Sequence, residues 1–188
     1  NHEKDRRAKW GTSTGQKFVP PAEVNRIPPE GLIPSKGWKL VRASSENKGN
    51  RKFARFAFDG DPRSIWHTQF LPKLEKHPHE LIIDLGAEYE ITGLRYLARQ
   101  DGGWNGTFAK CEIAISSTPK EFGDPVGKAT FKKLRTAQSI DFKATRGRYV
   151  QIRILSEVNG GPWASAAEIG IEGRKTRWSA LENLNHVV

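Results

Sequence analysis

The sequence predicts an antiparallel β-sandwich or jelly roll. Short apolar segments recur from Gly37 onward, several of them alternate apolar with polar residues, and Gly, Pro and Asp turns separate them. Little helical periodicity interrupts this series. Short strands spaced by turn residues are typical of sandwich folds, and 188 residues suffice for one domain with a sizeable core.

The strand candidates follow one another along the chain. WKLVRAS comes first, and the apolar runs ELIIDLG and ITGLRYLAR follow it. In FAKCEIAISS, the residues Cys111, Ile113 and Ile115 share one face. Lys110 and Glu112 point to the other face, so the segment reads as a half-buried strand. SIDFKA, the cleanly alternating RYVQIRIL, and AAEIGIEG complete the set.

Charge and cysteine content limit the function classes. The chain has 31 basic and 21 acidic residues, a net charge of +10, which favours anionic partners such as acidic glycans. The charges are scattered and no nucleic-acid-binding motif is recognised, so we expect no nucleic-acid partner. Cys111 is the only cysteine, which excludes an internal disulfide, and we read it as a small core residue. No apolar run approaches the length of a membrane span.

Composition divides the chain into three parts. Residues 1–36 are charged and rich in proline, which predicts a linker or extension; residues 37–173 form the β-rich domain, and residues 174–188 form a C-terminal tail. GTSTG in the first part matches a hydrolase nucleophile elbow, but no apolar strand precedes it. No nucleophile–base arrangement or pair of carboxylates has supporting context, so the sequence predicts a binding module and not an enzyme.

The segment AFDGDPRSIWHT gathers oxygen ligands in one tight loop. Gly60 permits a turn between Asp59 and Asp61, and carboxylates, a hydroxyl and backbone carbonyls are the ligands that Ca²⁺ takes. The spacing does not fit an EF-hand, so the ligand set has to be completed from elsewhere. Glu168 is the best candidate. The alternative is a hairpin turn with a solvated Asp pair and no metal.

Four segments carry a family resemblance. AFDGDPRSIWHT, HPHELIIDLG, GLRYLARQDGGWNG and GRYVQIRILSEVNGGPWASAAEIGI occur in this order. Over roughly residues 38–173 the sequence resembles the discoidin, or coagulation factor type C, domain. Within that group it is similar to family 32 carbohydrate-binding modules, of the kind appended to sialidases and found as the first domain of galactose oxidase. The resemblance implies an all-β fold, an eight-stranded antiparallel jelly-roll β-sandwich, with one structural Ca²⁺.

The resemblance also implies a ligand set for the ion. Asp59 and Glu168 would give carboxylates, and Ser64 would give its hydroxyl and carbonyl. Backbone carbonyls would come from Phe56, Asp61 and Ala167. Such an ion would tie an early loop to the last strand of a domain that has no disulfide.

A sugar site follows from the same resemblance. It implies that His67, Arg99 and Asn105 bind the sugar, beside an aromatic platform at Phe70 or Trp104. The residue types suit a pyranose, because arginine offers a planar fork of donors, asparagine a donor and an acceptor, and histidine one of each. An aromatic ring packs on the apolar face of the sugar.

Several of these residues also have a purely structural interpretation. His67 could cap the loop that follows a core tryptophan, and Trp104 could be a core lid over an ordinary turn. Trp163 could belong to the core or to the edge of the site. His77 and His79 alternate in a way that suggests a metal, but such residues more often flank the start of a strand.

We therefore expect a non-catalytic, monomeric carbohydrate-binding module for galactose-type glycans, with acidic glycans favoured by the net charge. The resemblance places it in a larger glycan-degrading protein that is secreted or lies at the cell surface. The alternative is a discoidin-type adhesion domain that binds protein or lipid surfaces.

Overall fold

A computed structural model describes residues 24–176. Within this range the chain forms one 3₁₀ helix, Ala54–Phe58, and eight strands. The strands are β1 (Lys39–Ala43), β2 (Trp66–His67), β3 (His79–Leu97), β4 (Lys110–Ser116), β5 (Gly127–Thr130), β6 (Gln138–Ile154), β7 (Ser165–Ala166) and β8 (Glu168–Lys175). Every strand pairing is antiparallel, and the all-β, eight-stranded sandwich fold is confirmed.

Two long strands, β3 and β6, run through both halves of the sandwich. The first half of β3 pairs with β1 and β6, and its second half pairs with β6 and β8. The sequence predicts two strands here, separated at Gly86. The structure keeps one strand, but Gly86 has a φ of 82° and the pairing with β6 is interrupted between Asp84 and Tyr89. In the same way, SIDFKA and RYVQIRIL merge into β6.

The main sheet has the order β1-β3-β6-β4-β5, with β8 beside β3, and β2 and β7 form a separate pair. Residues from the two halves of β3 meet in one buried cluster, including Leu81 and Ile83 from the first half and Ile91 and Tyr96 from the second. Burial of these side chains is the main stabilising term of such a sandwich.

The predicted inward faces are buried as alternation requires. Val150, Ile152 and Ile154 of β6 have no exposed surface. Cys111 is also buried on the inner face of β4, where burial raises the pKa of its thiol to about 12. The thiol is therefore an apolar core group at neutral pH, as predicted.

The segment before β1 packs against the domain. The Ile33 N–H donates to the Ile171 carbonyl at 2.8 Å. The Arg95 guanidinium donates to the carbonyls of Pro28 at 2.7 Å and Glu30 at 2.9 Å. The domain therefore begins before residue 37, which is the start that the sequence predicts. The five prolines between residues 20 and 34 prevent a long helix, but an extended segment that contains proline can still pack against a sheet.

The other end of the domain is also longer than predicted, since β8 continues to Lys175. The remainder of the predicted linker, with its GTSTG motif, and the tail from residue 177 lie outside the described residues. Within residues 24–176, no helix is long and apolar enough to span a membrane.

Candidate functional site

The loops at one end of the sandwich enclose a cleft of about 360 Å³. The structure brings His67, Phe70, Arg99 and Asn105 together there, but Trp104 is not among the lining residues. The complete lining is Asn50, Lys52, Ile65, His67, Phe70, Arg99, Asn105 and Trp163.

The short pair of β2 and β7 directs His67 into the cleft. Trp66 opposes Ala166 and His67 opposes Ser165 across this pair. Trp66 is fully buried in the core and donates through its indole N–H to the Ser45 carbonyl at 2.9 Å. Since neighbouring strand residues face opposite ways, the side chain of His67 points away from the core and lines the cleft.

The imidazole of His67 is held as one neutral tautomer. Its Nδ1 lies 2.7 Å from the Thr68 carbonyl, and a carbonyl only accepts, so Nδ1 carries the proton. Burial lowers the pKa of His67, and the nearby positive charge of Arg99 lowers it further. Nε2 therefore has a free lone pair that can accept a hydrogen bond from a ligand hydroxyl. The Phe70 ring meets the imidazole edge to face at 5.6 Å.

Arg99 is fixed by an adjacent carboxylate. Its Nε and Nη2 donate to the two oxygens of Asp101 at 2.6 Å and 2.7 Å, and its Nη1 donates to the Asn105 carbonyl at 3.2 Å. Burial opposes ionisation of Asp101, but the hydrogen bonds and positive charge of Arg99, together with the Gly103 N–H and the charge of Lys52, outweigh it, and the pKa of the carboxyl is lowered. At Gly103 an added Cβ would lie 2.7 Å from the Arg99 Cζ, so the guanidinium packs where only glycine fits.

A buried carboxylate that the sequence analysis missed joins the loops of Asn105 and Trp163. The oxygens of Glu157 accept from the N–H groups of Gly106 at 3.2 Å, Asn159 at 2.8 Å and Gly161 at 2.8 Å. Glu157 is only 4% exposed. Asn159 and Gly161 lie 2 and 4 residues from Glu157, whereas Gly106 lies 51 residues away and meets it only in the folded chain.

The two tryptophans near the site have different surroundings. The Arg135 Cζ lies 3.6 Å from the centroid of the Trp104 ring, and Arg135 also donates to the Gly102 carbonyl at 2.9 Å. The cation–π contact occupies this ring, so Trp104 braces the loop beside Arg99. Trp163 lines the cleft, and its ring packs closely on Gly161, where an added Cβ would lie 2.8 Å from the ring. Trp163 could belong to the core or to the edge of the site, and its position matches the edge of the site.

The candidate metal loop folds tightly around Asp59. One Asp59 oxygen accepts from the Asp61 N–H at 2.9 Å, and the other accepts from the Ser64 hydroxyl at 2.8 Å. Gly60 between them has a φ of 83°, which favours glycine. The Asp61 carboxylate turns away to Arg63, with hydrogen bonds of 2.8 Å and 2.9 Å, so only its backbone carbonyl remains for a metal.

Glu168, at the start of β8, faces this loop. Its Oε1 is buried and has no hydrogen-bond partner among the described residues. Burial and the neighbouring Asp59 raise the pKa of Glu168 to about 8. Two carboxylates that meet in this way, one with a buried oxygen left unpaired, fit a cation between them.

The chemistry of the donors limits which cation fits. Within residues 24–176, no group of three or more His, Cys, Asp or Glu side chains is placed to hold a metal ion. Any further ligands would therefore be carbonyl and hydroxyl oxygens, such as those assigned above to Phe56, Ser64, Asp61 and Ala167. Such an oxygen-only set with two carboxylates suits Ca²⁺ and does not suit zinc.

His77 and His79 bind the backbone. The ring nitrogens of His77 lie 3.1 Å from the Ile154 carbonyl and 3.2 Å from the Gly161 carbonyl. Nε2 of His79 lies 2.6 Å from the Pro162 carbonyl. These contacts match the interpretation that the two residues flank the start of a strand.

A jelly-roll sandwich whose loops form a cleft lined by polar and aromatic side chains is the architecture of a binding module. Residues 41–169 match the F5/8 type C domain family, and the chain belongs to this family.

Sequence relatives agree with this assignment. The chain is 33% identical over 162 residues to a galactose oxidase from Gibberella zeae, which covers 86% of this chain and 24% of the relative. It is also 33% identical over 147 residues to a sialidase from Micromonospora viridifaciens, covering 77% of this chain and 23% of the relative. The chain thus spans about a quarter of the length of these relatives.

Solved structures agree as well. A carbohydrate-binding module from Clostridium perfringens, determined in complex with GalNAc-β-1,3-galactose, is 31% identical with a TM-score of 0.68, covering 75% of this chain and 99% of that one. A module from a family 31 glycoside hydrolase of the same organism has a TM-score of 0.71 at 24% identity and shares the fold, covering 77% and 96%. The domain is a carbohydrate-binding module and is not itself catalytic.

Proposed function

We propose that this domain binds galactose-type glycans in the cleft that contains His67 and Arg99. The observation that carries the proposal is that one cleft contains the acceptor nitrogen of His67, the guanidinium donors of Arg99 and the Asn105 amide, together with two aromatic rings. The rings belong to Phe70 and Trp163.

The hydrogen-bonding capacity of the cleft suits vicinal hydroxyls. Arginine has five N–H donors. Three of them are used within the protein, two by Asp101 and one by the Asn105 carbonyl, which leaves two for a ligand. Nε2 of His67 can accept from one hydroxyl while the Arg99 fork donates to a neighbouring one. Phe70 and Trp163 offer apolar surface to the C–H face of the ring.

We also propose that a structural Ca²⁺ binds between Asp59 and Glu168. The unpaired Oε1 of Glu168 supports this, because an ion there would replace carboxylate repulsion with attraction. The ion would link the 59–64 loop to the start of β8. Its contribution would be to stability, because the sugar cleft has a different set of lining residues.

We further infer that the domain is a monomeric part of a larger, secreted protein that acts on glycans. The relatives support the larger protein, since a galactose oxidase and a sialidase each contain a region like this chain within a protein about four times as long. The net charge of +10 supports acidic glycans among the ligands.

The proposal is tested by calorimetric titration of the domain with galactose, N-acetylgalactosamine, glucose and mannose. Galactose-type sugars should bind, and Arg99→Ala should lower their affinity at least about tenfold, because a polar ligand group is left unpaired. An Arg99→Ala variant that binds galactose like the parent would move the site elsewhere. Release of sugar from a glycan by the isolated domain would contradict its assignment as a binding module.

A second candidate function has one observation in its favour. Leu71 is 72% exposed and Leu74 is 42% exposed, on a loop that begins at the edge of the cleft and also contains Lys73 and Lys76. Apolar and basic residues together on a loop can attach a domain to an acidic membrane surface. In that case vesicles rich in phosphatidylserine should bind the domain, and Leu71→Ser combined with Leu74→Ser should abolish binding without affecting galactose.

A further inference from the structure

Within residues 24–176, one positive charge of the sugar cleft has no carboxylate in hydrogen-bond or ion-pair contact. Only two of its lining residues are charged, Lys52 and Arg99. Arg99 is paired with Asp101 through two hydrogen bonds. The half-buried Lys52 side chain makes no hydrogen bond or ion pair with any residue of the described range. Its charge acts at longer range on Asp101, but both oxygens of that carboxylate are already bound by Arg99. With His67 held neutral, the cleft has a net charge of about +1.

The backbone fixes Lys52 at this place. Its N–H donates to the Asn47 carbonyl at 2.9 Å, and its carbonyl accepts from the His67 N–H at 3.3 Å. Lys52 and His67 are therefore neighbours along the wall of the cleft. The turn that precedes Lys52 includes Arg51 at a φ of 56°, a left-handed conformation that is uncommon for a residue other than glycine.

The loop that carries Lys52 has one acidic residue, Glu46, and it is turned away. A Glu46 oxygen accepts from the Ala54 N–H at 2.9 Å, and its other oxygen lies 3.7 Å from the Lys48 ammonium. Glu46 does not line the cleft. Nothing on this loop therefore neutralises Lys52, and a partly buried charge without a partner favours an anionic ligand.

We propose that Lys52 forms an anion subsite in the cleft, so that the preferred ligand is a galactose-type sugar that carries a carboxylate or a sulfate. This inference rests on the proposed function and adds a specificity determinant to the same cleft. The ammonium would bind the anionic group, while Arg99, His67 and Asn105 bind the ring hydroxyls.

The test is a set of calorimetric titrations at about 0.15 M salt, with galactose, galacturonate and galactose 6-sulfate as probes. The variant is Lys52→Gln. The matched control is Lys48→Gln, which removes the same charge from the same loop but outside the cleft lining. Thermal melts of both variants check that the fold is retained.

The parent should bind at least one acidic sugar about tenfold more tightly than galactose, the gain of one charge-assisted contact. Lys52→Gln should abolish that preference, with a loss of affinity for the acidic sugar about tenfold greater than any loss for galactose, and Lys48→Gln should retain the preference. A preference for galacturonate alone would indicate that the subsite binds a carboxylate, and a preference for galactose 6-sulfate alone would indicate that it binds a sulfate.

Three results would overturn the inference. The first is a parent that binds galactose and shows no preference for either acid, which would leave the proposed function intact. The second is an equal loss of the preference in both variants, which would assign it to the overall charge. The third is a Lys52→Gln variant whose galactose affinity falls as much as its affinity for the acids, which would make Lys52 a hydroxyl ligand. Absence of binding to all three sugars would instead contradict the proposed function itself.

Discussion

The Asp101 carboxylate accepts two hydrogen bonds from the Arg99 guanidinium, at 2.6 Å and 2.7 Å, and fixes the plane of that side chain at the edge of the cleft. The pair is formed within one loop, two residues apart, and Gly103 gives the guanidinium room. A planar fork held in this way meets a ligand without losing much side-chain entropy on binding.

Replacing Asp101 with asparagine should therefore weaken sugar binding. The amide group places donors against the donors of Arg99, so the fork loses its fixed orientation, and galactose affinity should fall about fivefold with little change in melting temperature. Calorimetry measures the first quantity and a thermal melt the second. Asp84→Asn is the control, because Asp84 forms a similar pair with Arg148, at 2.7 Å and 2.8 Å, away from the cleft. Equal affinity losses in the two variants would refute a specific role for Asp101.

The two tryptophans should differ in their importance for binding. Trp163→Ala removes a ring that lines the cleft and should lower galactose affinity about tenfold. Trp104→Ala removes the ring under Arg135 and should cost less than about threefold, through the loop alone. Titrations of the two variants measure this order directly, and the reverse order would restore Trp104 as one of the two platforms, Phe70 or Trp104, that the family resemblance implies.

Chelation should lower the melting temperature of the parent domain by several degrees. An ion that binds only the folded state adds its binding free energy to stability, and about 1 kcal/mol corresponds to about 2–4 °C for a domain of this size. Asp59→Ala and Glu168→Ala should melt at a lower temperature and no longer respond to chelator.

The control for the metal site is Asp61→Asn. Because the Asp61 carboxylate binds Arg63, this variant should retain the response to chelator. In chelator, Glu168→Gln should be at least as stable as the parent at neutral pH, since the amide removes the cost of burying an ionisable carboxyl beside Asp59. A melting temperature that does not change on chelation of the parent would argue against an exchangeable ion.

Binding and stability should both weaken in acid because of His67. Burial lowers the pKa of its folded state below the ordinary value of about 6.5, so the unfolded chain takes up protons first. The stability associated with neutral His67 is complete above about pH 6.5 and is lost as the pH falls from there to the folded-state pKa. Galactose affinity should be constant from about pH 7 to 8 and decline only well below 6.5, when Nε2 is protonated.

An NMR titration of the imidazole tests this prediction, with His67→Gln as the variant. The pKa of His79 is also lowered by burial, so the variant should lose only part of the pH dependence of stability. A His67 that titrates above the ordinary value would contradict the assigned tautomer and the free acceptor at Nε2.

The sequence by itself determined the fold class and much of the candidate site. Alternation in segments such as RYVQIRIL is a local property, and it identifies the buried face of β6 without any tertiary information. The tight loop at Asp59 and Gly60 is equally local, since turn residues encode it. The family motifs added His67, Arg99 and Asn105, which the structure brings into one cleft.

Only the tertiary structure decided how distant segments meet. Glu157 joins two loops through N–H groups up to 51 residues away, and Glu168 reaches Asp59 from more than a hundred positions along the chain. The choice of Trp163 over Trp104 as a lining residue, and the absence of a partner for Lys52 among the described residues, depend on which loops pack side by side. Hydrophobic patterning sets which face of a strand is buried, but burial, pairing and charge compensation arise only once the loops are packed.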